Sequence, residues 1–460
     1  MALAEYAREL HSEGKEFKVG LITGGAAGSL IDGALAQADA VFMRTPFQSD
    51  KDMRNSINSG KVAYFDLHLS HIGQDVRYGF LPKIDVAIIE ASDITAEGEI
   101  TLSTSVGISP TLVQQADRVI VELNRVHKSK LKGMHDIFLL DNPPYRKEIP
   151  IYRVNDRVGS YTLKVDPKKI VAVVESEVKD RIAPFTPLNE TTQRIGNNVA
   201  AFLLNEWRKG GIPKEFLPLQ SGVGNVANAV LGALGEDTHL PAFSMFTEVI
   251  QNSVIDLMMK GRISFATGSS LTLSEDKLDM MYENLDFFKE RILLRPQEIT
   301  NHPEMVRRLG IIAVNTALEA DIFGNVNSTH VMGSKMMNGI GGSADFSRNA
   351  FLSIFTTPST AKDGLISSIV PQVSHVDSTE HDVRVLVTEQ GVADLRGKSP
   401  KERAACIIEN CAHPDYKELL WDYVKLSEGK GYHTPFSLKN ALKMHLAFAE
   451  TGDMRNTKYE

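Results

Sequence analysis

Short apolar runs alternate with stretches of helical periodicity along this chain. Residues 17–23 (FKVGLIT), 40–45, 62–67, 86–90 and 119–123 (VIVEL) are nearly continuous apolar or β-branched runs. Such runs predict strands covered on both faces, because a half-solvated strand would alternate apolar with polar positions. Helical patterns lie between several of them, and that rhythm predicts an α/β fold with a largely parallel sheet. Pro184 and Pro187 interrupt the pattern within residues 181–189 (RIAPFTPLN). Asn189 is placed to cap a helix in which Ile195, Val199, Phe202, Leu203 and Trp207 recur at helical spacing. Gly210, Gly211 and Pro213 end it. We place the domain boundary at the proline cluster, giving domains 1–185 and 186–460.

The two halves echo each other. In the first, the run 17–23 leads into GGAAG (24–28), a helical stretch and the run 40–45. In the second, residues 216–220 lead into SGVGNVANAVLGAL and then a strand-like run at 243–248. Both are strand, glycine turn, helix, strand, which predicts two related open parallel-sheet domains.

Composition narrows the class. The 460 residues carry 50 Lys+Arg against 58 Asp+Glu, a net charge of −8, with 42% hydrophobic positions. That balance suits a folded soluble protein, and its acidity argues against nucleic acid or an anionic membrane as partner. No run approaches the ~18 apolar residues of a membrane span. Glu5, Glu9 and Glu13 sit where a signal or transit peptide would exclude acids, so a cytoplasmic protein is expected. Two cysteines, Cys406 and Cys411, exclude a disulfide framework and point to a reducing compartment. They follow Ser399-Pro400-Lys401-Glu402, a capping box, and do not share a helical face. Packing, not metal binding, is expected of them.

Glycine loops supply the candidate chemistry. Gly222-Val223-Gly224-Asn225-Val226-Ala227 fits G-x-G-x-x-A between a strand and a helix. Amides at such a helix start bind phosphate or another oxyanion. Glu248 closes the next strand, where a dinucleotide-binding fold would place its ribose-binding acid. A nicotinamide-dependent oxidoreductase is therefore open at this point, as is a plain tight turn. A second loop contains Asn338, Gly339, Gly341, Gly342 and Ala344, but the following strand ends in no acid. The stretch 391–399 has one residue too many between its glycines for a phosphate-binding P-loop. Asp66, His68 and His71 could offer metal ligands, yet 71 would point away from 66 and 68 on an extended chain. No zinc spacing occurs, so no metal is expected.

Glu248 and Glu389 each close an apolar strand as part of a Thr-Glu pair. Ligand sites in open parallel sheets lie at the carboxyl ends of strands. An ionised carboxylate there can be a covalent nucleophile, or it can simply favour a helix dipole.

The segments QSGVGNVANAVLGAL, FTEVIQ, LLRPQEITNHPE, NTALEADIFGNVNSTHV, GIGGSADFSRNA and VTEQGVADLRG resemble the acetyl-CoA hydrolase/transferase family, most nearly its succinyl-CoA:acetate CoA-transferase branch. The resemblance spans nearly the whole chain. It implies two CoA-transferase-type α/β domains, a homodimer, and acyl-CoA and short-chain carboxylates as substrates, with no cofactor beyond coenzyme A. It implies that Glu248 is the nucleophile, that Glu389 lies beside it and raises its pKa, and that Asn301 orients the reacting carboxylate. It implies CoA contacts at Gly222, Val223, Gly224, Asn225, Val226 and Ala227, and at Asn338, Gly341, Gly342 and Lys362, with amides near Gly224 and Gly342 as oxyanion donors. The acid after the glycine loop then belongs to thioester chemistry, not to ribose binding. Family members usually carry a further N-terminal segment that shapes the acyl end of the site, and often a glycine where this chain has Ala344. A hydrolase on the same site and a catalytically silent CoA-binding protein stay open beside the transferase.

Overall fold

Parallel pairing dominates the computed structural model, which describes residues 2–127, 131–180, 182, 188–237, 239–428 and 433–460. The expected boundary at 185/186 lies outside the described residues. Val19–Ile22, Val41–Thr45 and Ala63–Tyr64 form a three-stranded parallel sheet in sequence order. Val86–Ile94, Arg118–Asn124 and Ile170–Ser176 pair in parallel, and Glu99–Leu102 and Leu163–Lys164 extend them antiparallel into a five-stranded sheet.

The eight-stranded sheet runs Ile292–Leu294, Ile263–Gly268, Phe243–Phe246, Leu219–Ser221, Ile312–Thr316, Leu352–Thr356, Val385–Val387 and Val392–Asp394. Only the last pair is antiparallel. The strand that is first in sequence, Leu219–Ser221, lies inside the sheet. From it the chain steps outward through three strands, then returns to its other side with Ile312–Thr316. This reversal opens a crevice at the carboxyl ends of the strands, which is where ligands bind in such sheets.

Burial throughout, expected of the runs in the first half, is found instead in the strands at 292–294, 352–356 and 385–387, while Val19–Ile22 is only partly buried. The five-stranded sheet departs from that expectation. Val86, Ile88, Val171, Val173 and Val174 are exposed, while Ala87, Ile89 and Ala91 point into the core. Val86, Ile88 and Val174 lie on the face turned to solvent, while Val173, paired with buried Val121 on the covered face, is exposed because its strand is at the sheet edge. The apolar run could not distinguish cover by the same chain from cover by another.

Local signals place the second unit. Asn189 caps Glu190–Arg208, accepting from the Thr192 amide at 2.8 Å, while the Thr192 hydroxyl accepts from the Asn189 amide at 3.1 Å. This helix packs on Asn225–Glu236, the helix that follows the glycine loop. Gly196 makes the contact possible: a methyl there would sit 2.7 Å from the Ala229 carbonyl. Glu402 reaches back to the Ser399 amide at 2.8 Å, as the capping box predicts. Burial pushes the Cys411 thiol up to about 12, so it packs as an inert side chain.

Gly196→Ala tests the helix contact. Alanine favours a helix by about 1 kcal/mol, but overpacking against backbone costs about 1–3 kcal/mol. The variant is expected to melt at a lower temperature than the native chain, measured by circular dichroism.

Candidate active site

The crevice gathers groups from four segments far apart in sequence, those of Ser70, Glu248, Asn301 and Gly342 to Asp345. Glu248 follows Phe243–Phe246, and its carbonyl accepts the amides of Ser269 at 2.7 Å and Ser270 at 3.2 Å. Those bonds fix its main chain. Asn301 ends the short helix Gln297–Thr300 and is fully buried. Its Oδ1 accepts from the Thr300 hydroxyl at 2.8 Å, which turns Nδ2 toward Glu248 Oε2 at 3.1 Å. Gly342 precedes the helix Ser343–Asn349 and closes the arrangement. Any β-carbon there would collide with Glu248 Oε2 and Asn301 Nδ2. Its φ of −92° suits any residue, so lack of room is what demands glycine.

Asp345 is the fourth member, and sequence reasoning missed it. It is buried and lies 3.5 Å from Asn301 Nδ2. Ser70 donates to it through its hydroxyl at 2.6 Å and its amide at 3.0 Å. The only usable hint was an acid three residues past Gly342 within GIGGSADFSRNA. Its partner lies 275 residues away in sequence.

Electrostatics separate the three acids. Burial pushes the Glu248 carboxyl up to about 7, and the Asn301 hydrogen bond opposes the rise. Asp345 also rises to about 7, through burial and then through the charge of Glu248, against the bonds from Ser70. Glu389 goes the other way. Burial raises it, but the Ser359 hydroxyl and amide and the Gln390 side chain outweigh that and hold it below its ordinary value. The expectation that Glu389 raises the pKa of Glu248 is therefore corrected. Desolvation does so, and the acid electrostatically coupled to Glu248 is Asp345.

The expected CoA-contacting residues divide. The loop of Gly222, Val223 and Gly224 joins Leu219–Ser221 to the helix that holds Asn225, Val226 and Ala227, beside the crevice. Gly224 has φ 116°, a backbone shape that favours glycine. Its amide donates to Gln251 Oε1 at 3.3 Å, and Gln251 Nε2 donates to the Gly222 carbonyl at 2.8 Å. The Gly224 amide is thus held by a side chain, and Val223 is exposed at the loop tip. Gly341 and Gly342 lie in the second loop, where Gly341 packs on Phe47 and the Ile340 amide donates to Asp66 at 2.7 Å. Asn338 leads into this loop, and its buried Oδ1 has no hydrogen bond among the described residues. Lys362 is exposed in a separate turn, with its ammonium 4.9 Å from the Phe448 ring.

Asp66, His68 and His71 make other contacts in the fold. A helix begins at Leu69, the two imidazoles stack edge to face at 5.4 Å, and Asp66 is used by Ile340.

Residues 1–175 match the N-terminal domain, and residues 278–424 the C-terminal domain, of the acetyl-CoA hydrolase/transferase family. The chain is 51% identical to a succinyl-CoA:acetate CoA-transferase of Clostridium kluyveri, over 96% of this chain and 82% of that protein. It is 49% identical to a propanoyl-CoA:succinate CoA transferase of Escherichia coli, over 98% of this chain and 92% of that one. An acetyl-CoA hydrolase of Schizosaccharomyces pombe is 46% identical, over 99% and 89%. Among solved structures, RipA from Yersinia pestis shares the fold with a TM-score of 0.68 at 22% identity, covering 92% of this chain and 90% of that one. A 4-hydroxybutyrate CoA-transferase from Porphyromonas gingivalis does so at 0.62 and 21% identity, covering 91% and 96%.

Glu248 and Asp345 bind protons more tightly folded than unfolded. The stability they supply is full below the ordinary carboxyl value and is lost as pH rises through about 7. Glu248→Gln removes one such group while keeping an acceptor for Asn301. At pH 8 the variant should be more stable than the native chain, by up to about 3 kcal/mol. Urea unfolding should show that gap narrowing toward pH 5.

Proposed function

Because the chain belongs to the acetyl-CoA hydrolase/transferase family, we propose that it moves CoA between a short-chain acyl-CoA and a carboxylate such as acetate through a glutamyl-CoA thioester on Glu248. The observation that carries this is the partly desolvated Glu248 carboxyl, held by Asn301 at 3.1 Å, with no room for a side chain at position 342. Glu248 is half-buried, so its carboxylate has lost part of the water that would blunt it as a nucleophile, and acylation removes its charge from a poorly solvated site.

In the proposed sequence, Glu248 attacks the acyl-CoA carbonyl and the C–S bond breaks, giving a mixed anhydride and CoA thiolate. The thiolate attacks the Glu248 carbonyl and releases the first carboxylate, leaving the enzyme thioester. A second carboxylate attacks that thioester, and the returning thiolate takes the new acyl group and frees Glu248. Each half releases one product before the next substrate reacts, so the kinetics are ping-pong. Asn301 Nδ2 is the donor for charge developing on the reacting oxygens. Glu389, held ionised by Ser359 and Gln390, acts beside this chemistry and not in it.

The two glycine loops are the proposed CoA contacts, with Lys362 as an outlying cation. The division at 185/186 remains our proposed domain boundary. The exposed valine and isoleucine face of the five-stranded sheet supports a homodimer, since apolar patches of this kind mark protein interfaces.

Hydrolysis on the same site has its own support, since several relatives at 42–46% identity carry the name acetyl-CoA hydrolase. In it, water intercepts the enzyme thioester. Assays with acetyl-CoA or succinyl-CoA against acetate, succinate, propionate and butyrate separate the two. The transferase account predicts turnover only with an acceptor acid, and its loss in Glu248→Ala with CoA binding retained. Acceptor-independent release of CoA supports hydrolysis, and undiminished exchange by Glu248→Ala overturns both.

Since Glu248 must be ionised to attack, kcat/KM should rise with pH through about 7. Asn301→Ala removes the bond that lowers this pKa. The acid limb should then move to higher pH, and the rate at neutral pH should fall by ~10²–10³. An unshifted limb in the pH profile would contradict the role given to Asn301.

A further inference from the structure

A second convergence of strand ends lies away from Glu248. Val86–Ile94, Arg118–Asn124 and Ile170–Ser176 are parallel neighbours in the five-stranded sheet. Glu90 lies on the first, His127 follows the second and Asp180 follows the third. One oxygen of each acid and the His127 Nε2 lie within 4.8 Å of one another. Nε2 is 3.5 Å from Glu90 Oε1 and 3.5 Å from Asp180 Oδ1. The His127 side chain is wholly buried, and its Nε2 makes no hydrogen bond among the described residues although it is aimed between the two carboxylates.

The two His127–carboxylate separations are those of edges of a coordination polyhedron. Tetrahedral bonds of about 2.1 Å to nitrogen and oxygen give ligand-to-ligand edges of about 3.4 Å. The outer contacts are also those of a metal site. Metal-bound histidines use their other ring nitrogen to hold the ring, and ligating carboxylates are themselves hydrogen-bonded. His127 Nδ1 lies 2.8 Å from the Tyr282 hydroxyl. Glu90 accepts from Asn124 at 2.8 Å and from the Ser103 hydroxyl, and Asp180 accepts from Thr104 at 2.8 Å. Glu90 and Asp180 are only partly buried, so the site opens to solvent for entry.

From this geometry we propose that Glu90, His127 and Asp180 bind one divalent transition cation of the zinc type. One imidazole and two carboxylates suit such an ion, with water as a fourth ligand. Its role is structural. It fastens three strand ends to the helix Glu275–Glu283 through Tyr282. It also stiffens the segment where the Thr104 carbonyl accepts the Leu271 amide at 2.8 Å, next to the residues that pin Glu248.

The test uses the full-length, tag-free chain, stripped with chelator and titrated calorimetrically with ZnCl₂. The expected result is one Zn²⁺ per chain, a melting temperature that rises with added Zn²⁺, and binding weakened more than about tenfold in both Glu90→Gln and Asp180→Asn. Circular dichroism of each metal-free variant checks that it is folded. No stoichiometric uptake overturns the proposal and leaves His127 as an imidazolium bridging two carboxylates. Uptake unchanged in both variants also overturns it, because the ion is then adventitious.

Discussion

The desolvation of one carboxyl group shapes the whole crevice. Glu248 lies where ionisation is opposed by burial, and the described residues give its side chain a single hydrogen bond, from Asn301. Everything around it serves that bond. Thr300 turns the Asn301 amide, the amides of Ser269 and Ser270 hold the Glu248 main chain, and position 342 must be glycine because any side chain would displace both groups. Asp345 adds a second buried acid whose pKa rises further when Glu248 is charged. A site built this way is unstable when fully ionised. In the mechanism proposed here that instability is relieved when Glu248 becomes an anhydride or thioester, which links poor ground-state stability to reactivity.

The fold delivers these groups by topology. The eight-stranded sheet reverses direction around Leu219–Ser221, so loops from both sides face the same crevice. Glu248 comes from one side of that strand, while the Gly342 helix leads into Leu352–Thr356 on the other. Asn301 follows the edge strand Ile292–Leu294. The first half of the chain completes the site through Ser70, Asp66 and Phe47, which hold the second glycine loop in place. The hydrophobic core is likewise shared, running from Ala87 and Val121 to Val199 and Val314.

Much of this was legible in residue order, and the illegible part has a common cause. Asn189 capping, the Ser399–Glu402 box and the strand–glycine–helix units are local signals, and each is found where the chain predicts it. Strand ends carrying Glu248 and Glu389 were visible too, because a Thr-Glu pair closing an apolar run stands out. Their electrostatics were not. Whether an acid is raised or lowered depends on neighbours such as Ser359 or Asp345, which lie tens of residues away in sequence. The Gly224 amide shows the same limit. A glycine motif marks a backbone able to meet a ligand, but only the fold shows Gln251 already bonded there. Cover of the strand 86–94 also lay beyond the sequence, since one apolar run serves a core or an exposed face equally well.

The central claim is that the partly desolvated Glu248 carboxyl becomes covalently attached to CoA. Mass spectrometry after incubation with acyl-CoA and reduction by borohydride tests it most directly. The account predicts that the peptide containing Glu248 carries its side-chain carboxyl reduced to an alcohol, and only when acyl-CoA was present. An unmodified Glu248 in protein that is turning over, or reduction mapped to Glu389, would contradict it.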